Sequence, residues 1–389
     1  MTRATSTFIG GRVFDGERLY DGTAAQFRDG VFVGLAPDTG SGPDDRVIDL
    51  DGDILAPGYV DLQVNGGGGV MFNDDPSRET LARIAEAHRS LGSTAILPTL
   101  ITDRPDKTTA AIEAVCSALH AGMAGVKGLH LEGPHLSVAR KGAHDAALIR
   151  PMDDADLQQL LAAKAGIPVL KITIAPESVT PDQVRQMMQA GILVSLGHSD
   201  ADFETCRTYA KAGASCVTHL FNAMSQLGNR KPGLVGAALN LGQLSAGVIA
   251  DGIHVHPASL RSAWASKREP GALFLVSDAM AVAGTDMAEF HLDGRRISRK
   301  DGRLTLEDGT LAGADLDLTT AVRVLVDRVG IDLADALRAA TTVPARIIGL
   351  QGGLVPGKTR LTDVNRISGT LTGLQTLGVT ANEHHSTGP

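Results

Sequence analysis

The sequence has little cysteine, few aromatic side chains, no long apolar run and no basic excess. Three cysteines in 389 residues, Cys116, Cys206 and Cys216, are odd in number and lack metal-motif spacing. That argues against a disulfide framework and suits a reducing cytoplasm. Nine Phe, three Tyr and one Trp are too few for a base-stacking platform. A net charge of −8 does not favour binding of a phosphate backbone by the whole surface, although one local Arg or His pocket suffices for a small anion. No stretch reaches the ~18 apolar residues of a membrane-spanning helix. The opening MTRATSTFIGGRVFDG has no apolar core after its basic residue, so no secretory leader is expected and a cytoplasmic location is. What is present, 43% hydrophobic and 21% charged residues, describes a globular chain with a large core.

The opening 50 or so residues read as short strands and turns, with Phe8-Ile9, Val13-Phe14 and Val31 to Leu35 separated by Gly and Asp-Gly signals. A small antiparallel sheet is expected there. From about residue 55 apolar runs alternate with helix-like stretches. Predicted strands are Ile54–Val64, Thr94–Pro98, Gly128–Glu132, Val169–Ala175, Leu193–Gly197, Cys216–His219, Ala246–Ala250 and Leu273–Ser277. Between them, 78–91, 107–123, 153–164, 181–190, 203–212 and 257–267 have apolar spacing near 3.6. The segment 223–241 is Gly-rich and reads as a long loop with a short helix. Eight alternating units indicate a (β/α)₈ barrel, with an open doubly wound sheet as the rival. Polar residues at the ends of the runs favour the barrel: Gln63, Glu132, His198, His219, Asp251 and Asp278 would converge on one mouth. Later strands are expected at 289–292, 295–298 and 303–306, and helices at 316–329 and 333–340. The boundaries expected are 1–53 for a first part of a small β-domain, 54–345 for the barrel, and 346–389 for the rest of the small domain and a frayed tail.

Glu132, His198 and His219 supply one carboxylate oxygen and two imidazole nitrogens, a set that binds catalytic zinc and leaves a position for water. Three unrelated strand-end polar residues are the bland alternative. Asp278 faces the same mouth and suits proton transfer; a helix N-cap is its alternative. His144 in KGAHDA could donate to an oxyanion, or be an ordinary loop histidine. Arg230 in GNRKPG offers an anion site, against a solvated basic loop. His254 and His256 at i, i+2 would share a face and admit a second metal, although Pro257 makes His256 the more peripheral. Gly66 to Gly69 lack the Lys-Ser or Lys-Thr of a P-loop and read as a tight barrel-top loop.

The strings APGYVDLQVNGGGGV (56–70), HLEGPHLSVARKGAH (130–144), TIAPE (173–177), GHSDA (197–201), THLFNAM (218–224), GNRKPGLVGAAL (228–239), ADGIHV (250–255), LVSDAMAVAG (275–284) and GTLAGADL (309–316) resemble, in order, the N-acetylglucosamine-6-phosphate deacetylases of the amidohydrolase superfamily. The resemblance runs from about residue 8 to 358. It implies a TIM-like barrel plus a small β-sandwich built from both chain ends. It implies Glu132, His198 and His219 as ligands of a divalent metal, Zn²⁺ first, with Fe²⁺, Co²⁺ or Mn²⁺ as alternatives. It implies Asp278 as acid/base and His144, with Ala143, at the acetyl carbonyl. Gln63, Asn222, Ala223, Arg230, Asp251, His254 and the covering loop Leu311, Ala312 and Gly313 are implied as substrate contacts. Arg230 can come from a neighbouring subunit, which implies a homodimer or homotetramer.

Four departures stand out. Gln63 and Asn65 replace the His-x-His pair of two-metal members, so one metal per chain is expected. His135 stands where an aromatic residue is common. The segment 358–371 departs from the usual Ala-Asp-Leu strand, which leaves closure of the sandwich open. Met280 and Val282 replace smaller or Pro residues past Asp278. The reaction implied is hydrolysis of the acetamide of N-acetylglucosamine 6-phosphate. Its rivals are the galacto epimer and a non-catalytic sugar-phosphate sensor.

Overall fold

The computed structural model describes residues 5–38, 46–292 and 294–378. The tail reading for 378–389 therefore falls almost wholly outside the described residues. Two compact units emerge, Tyr59–Gly352 and a smaller one of Met1–Gly58 with Gly353–Pro389.

The larger unit holds eight parallel strands in sequence order: Tyr59–Val64, Ser93–Ile101, Leu129–Glu132, Leu170–Ile174, Leu193–Leu196, Cys216–Val217, Ser245–Val248 and Leu273–Leu275. The first and last are joined by Asp278 N donating to Gln63 O (3.1 Å) and Asn65 N to Ala279 O (2.9 Å), so the sheet nearly closes into a barrel. Helices between the strands start where the sequence supplies caps. Ser77 caps Arg78–Ser90, Asp153 forms a capping box at Asp154–Lys164, and Thr180 with Gln183 does so at Pro181–Gln189. The Gly-rich 223–241 loop does contain one short helix, Gly233–Asn240. After the eighth strand a four-stranded insert sheet follows: Glu289–Leu292, Arg295–Lys300, Arg303–Thr305 and Leu311–Ala314. Its last strand includes Leu311, Ala312 and Gly313, which the sequence reading left as a covering loop. The helix expected over 316–329 is Leu318–Val324 continued by a π-helical turn, Leu325–Val329, that Gly330 ends with a left-handed φ of 82°.

In the smaller unit, one sheet has the order Val31–Pro37, Thr23–Arg28, Thr5–Ile9, Arg46–Asp49. The other has Leu374–Thr376, Val364–Ile367, Ile54–Pro57, Arg12–Phe14, Leu19–Asp21. Three corrections follow. The small sheet is not purely antiparallel: Thr5–Ile9 pairs in parallel with Arg46–Asp49, and Arg12–Phe14 with Ile54–Pro57. The run 54–64 is two strands rather than one, because Ile54–Pro57 pairs with Arg12–Phe14 and Val364–Ile367. The atypical C-terminal segment still supplies the closing strands, and Arg366 ties them to the N-terminal part through Asp53 Oδ2 (2.5 Å) and Leu50 O (2.8 Å). Phe8 meets Phe27 edge-on and Phe27 meets Phe32 at a tilt, and all three pack with Leu50, Leu55 and Val364 in this unit's core.

Barrel closure also uses a buried carboxylate. Asp61 accepts the backbone N–H of Gln63 (3.2 Å) on its own strand and that of Ser277 (3.2 Å) beyond the eighth strand. Burial pushes its carboxyl up to about 7 despite these bonds. Its folded pKa therefore exceeds the unfolded value of ~3.9. Its stabilising contribution is complete below ~pH 4 and is lost as pH rises through about 7. Asp61→Asn removes the titration. Urea unfolding at pH 5 and pH 8 should show the wild type losing stability relative to this variant as pH rises; a flat difference contradicts the assignment.

Candidate active site

Glu132 is the last residue of the third barrel strand, and His198 and His219 lie two residues past the fifth and sixth. His198, His219 and Asp278 all leave their strands with left-handed φ values of 46°, 30° and 52°. Such backbone costs ~1–3 kcal/mol per non-glycine residue and is retained where a side chain must be aimed. Glu132 Oε1 lies 3.2 Å from His198 Nε2 and 3.0 Å from His219 Nε2, and the two Nε2 atoms are 3.0 Å apart. His198 Nδ1 faces the Arg140 carbonyl at 2.8 Å. A carbonyl only accepts, so Nδ1 carries the proton and Nε2 presents a lone pair. Burial opposes ionisation of Glu132, but the two adjacent imidazoles outweigh it and hold its carboxyl well below the usual range. Three buried N/O donors converging on one point fit a divalent cation, and among the described residues no other group of three His, Cys, Asp or Glu does so.

Asp278 stands beside this group. Asn65 Nδ2 donates to its Oδ1 at 2.8 Å and Gln63 Nε2 at 3.0 Å. Gln63 Nε2 also reaches both oxygens of Glu132, at 3.2 and 3.1 Å. The first-strand amides thus spend their donors on two carboxylates, leaving Gln63 Oε1 and Asn65 Oδ1 buried without partners. Burial first, and then the charge of Glu132, push the Asp278 carboxyl above its ordinary range. No helix starts at Asp278, so the capping alternative falls.

His144 is buried against His198, ring centroids 4.4 Å apart. Its Nδ1 accepts from Thr102 N at 3.3 Å and lies 2.8 Å from Thr102 Oγ1. A backbone N–H only donates, so Nδ1 is unprotonated and the ring proton sits on Nε2. Burial pushes this imidazole down to about 3, which keeps it neutral.

These side chains share a cavity of about 270 Å³ with Ala143, Asn222, Ala223, His254, Leu311 and Gly313 among its other lining residues. Asp251 does not line it. Instead its carboxylate lies 2.6 Å from His254 Nδ1 and accepts the N–H of Ile253 and His254, both at 2.8 Å, so it holds His254 in place. Gln63 also acts from behind the lining. Ala312 is fully buried in the apolar core of the insert sheet. Arg230 is exposed and does not line the cavity. His256 caps the helix Pro257–Ser266 through Nδ1 and, among the described residues, joins no group of three candidate metal ligands. His135 packs near Asp156, with its Nδ1 3.1 Å from Arg150 O, away from the cavity.

Residues 54–359 match the amidohydrolase family. The chain is 42% identical over 344 residues to an N-acetylgalactosamine-6-phosphate deacetylase of Shewanella sp. (strain ANA-3), covering 87% of this chain and 86% of that one. It is 36% identical over 312 residues to the N-acetylglucosamine-6-phosphate deacetylase of Haemophilus influenzae, covering 79% and 81%. The crystal structure of N-acetylglucosamine-6-phosphate deacetylase from Pasteurella multocida superposes with a TM-score of 0.89 at 32% identity, over 96% of this chain and 98% of that one.

The chain belongs to the amidohydrolase family.

Amidohydrolase chemistry is metal-dependent, and the buried Glu132, His198 and His219 are where this member can hold its cation. Sequence reasoning missed three parts of this amidohydrolase centre. Asn65 was read only as a lost ligand, yet its i+2 spacing from Gln63 already put both on one strand face. Thr102 follows a second strand that runs to Ile101 rather than stopping at Pro98, so its strand-end position was hidden. Below the centre lies a belt of buried hydroxyls. His130 bonds Thr99 Oγ1 (3.2 Å) and Thr173 Oγ1 (2.7 Å), and Thr218 Oγ1 bonds both Thr173 Oγ1 and Ser195 Oγ (2.7 Å each). The belt links strands two to six directly beneath the ligands. Thr218 is its hub and precedes His219. Thr218→Val keeps the shape but strands the Ser195 hydroxyl and removes one of the two partners of the Thr173 hydroxyl, so unfolding should lose ~1–3 kcal/mol and bound cation should pass faster to a chelator. Unchanged unfolding and chelation rates would contradict the belt's role.

Proposed function

We propose that the protein hydrolyses the acetamide of N-acetylglucosamine 6-phosphate to glucosamine 6-phosphate and acetate. The observation that carries this reading is the convergence of Glu132, His198 and His219 beside Asp278, with His144 opposite, in one cavity. The names of the Haemophilus and Pasteurella relatives support the gluco epimer. The name of the Shewanella relative favours the galacto epimer as the second reading. A non-catalytic sensor is disfavoured, because binding alone needs neither the three-donor group nor a strained Asp278.

We assign one divalent cation per chain to Glu132, His198 and His219, with Zn²⁺ first and Fe²⁺, Co²⁺ or Mn²⁺ as alternatives. A cation there supplies Lewis acidity and lowers the pKa of water. Asp278 accepts the proton of the attacking water and returns it to the departing nitrogen, which leaves as an amine only when protonated. Gln63 and Asn65 keep the Asp278 carboxylate aimed through these steps. His144 Nε2–H donates to the acetyl oxygen as negative charge builds on it. His254, with its other nitrogen bonded to Asp251, is assigned to the phosphate. Among the described residues no Arg or Lys lines this cavity, which supports delivery of Arg230 across the interface of a homodimer or homotetramer. Asn222, Ala223 and the Leu311–Gly313 strand are assigned to the sugar. Three unpaired cysteines fit a cytoplasmic location, and no helix among the described residues is long and apolar enough to cross a membrane.

Acetate release from the gluco and galacto 6-phosphates, side by side, tests the substrate. Faster release from the galacto epimer would replace the first reading with the second, and release from neither would overturn both. Asp278→Asn should keep bound metal and leave KM nearly unchanged while kcat falls by ~10²–10⁴-fold. A variant that turns over near the wild-type rate would remove Asp278 from the chemistry.

A further inference from the structure

The insert sheet 289–314 has two attachments to the active site. At its root, Ala314 N donates to Asp278 O at 2.9 Å, and Ala279 and Ala314 form a parallel bridge. Gly313 packs so closely there that a Cβ would lie 2.9 Å from Asp278 O and 2.4 Å from Met280 Cγ. At its far side, Arg295 Nη2 donates to Ala143 O at 2.7 Å, across 152 residues of sequence. Ala143 precedes His144, and both line the cavity. The sheet between these points has its own apolar core: Phe290, Leu292, Ile297, Leu304 and Ala312 pack on Met280 and Val282, with Ala143 against them. One packed sheet therefore connects the backbone of the acid/base residue to the loop carrying the oxyanion donor.

We propose that Arg295 is a positioning residue, whose bond to the Ala143 carbonyl sets His144 at its working distance from Asp278. The inference rests on the deacetylase reading above. The loop has few other ties near this point: His144 N bonds Lys141 O (3.1 Å), and His144 Nδ1 bonds Thr102. Without the guanidinium the Ala143–His144 peptide keeps only its N–H bond to Lys141 O and loses the bond that fixes its carbonyl, and a small misplacement of a hydrogen-bond donor at an oxyanion is costly to rate.

The test uses the full-length metal-loaded protein. In Arg295→Met, kcat for acetate release should fall ~10-fold with KM within about two-fold, equivalent to ~1.4 kcal/mol of transition-state stabilisation. Metal content and melting temperature should stay at wild-type values, and hydrogen exchange over 141–146 should quicken. Arg295→Lys should recover part of the rate. In a His144→Ala background Arg295→Met should add almost nothing, because its effect passes through His144. An additive loss in the double variant, an unchanged kcat, or a rate loss matched by lost metal would each overturn the inference. If the wild-type chain releases no acetate from either sugar phosphate, the activity reading falls and this inference with it; an active wild type with an indifferent Arg295→Met sinks this inference alone.

Discussion

A carboxylate inside a barrel must be compensated, and Glu132 is the group on which the rest of the centre depends. It is 2% exposed, and Asp278, only 9% exposed, shares the amide of Gln63 with it. Moving such charges out of water costs several kcal/mol each unless opposite charge and hydrogen bonds replace the solvent. The compensation here is layered. Two imidazoles and an amide surround Glu132, and a buried Lys171 sits in the barrel interior within the field of Glu132, Asp61 and Asp278. A cation on the three converging donors would complete the balance. Gln63 and Asn65 answer the same demand: neutral donors between two carboxylates reduce their repulsion.

Aim follows from compensation. The three side chains that turn inward past strand ends do so from left-handed backbone, and such strain persists only when surrounding contacts enforce it. The hydroxyl belt through Thr99, His130, Thr173, Thr218 and Ser195 supplies part of that enforcement from below. The loop before Gly142 supplies part from above, through the Arg140 carbonyl at His198 Nδ1 (2.8 Å) and Ser137 N donating to His198 O (2.9 Å).

The barrel was legible because apolar runs alternate with helical stretches and end in polar, ionisable residues, and the four central residues Glu132, His198, His219 and Asp278 stand where strand ends put them. What resisted reading depended on contacts far apart in sequence. Ile54–Pro57 is apolar and continuous with the first barrel strand, so only its pairing with Arg12–Phe14 and Val364–Ile367 assigns it to the small unit. The parallel pairing of Thr5–Ile9 with Arg46–Asp49 leaves no local signature, because alternation specifies a strand and not its partner's direction. Ala312 and Gly313 adjoin in sequence, yet strand alternation buries one in the core and turns the other to the cavity. Arg295 sits in a hairpin that reads as an ordinary charged surface until Ala143 is seen beside it.

The central claim is that one cation, held by three named side chains, underlies the activity. Calorimetric titration of metal-free protein with Zn²⁺ tests it most directly. The account predicts about one tight site per chain, retained in Asp278→Asn and abolished in His198→Ala and in His219→Ala, since an open site has only three protein ligands to lose. Two tight sites per chain, or a single site that survives loss of either histidine, would contradict it.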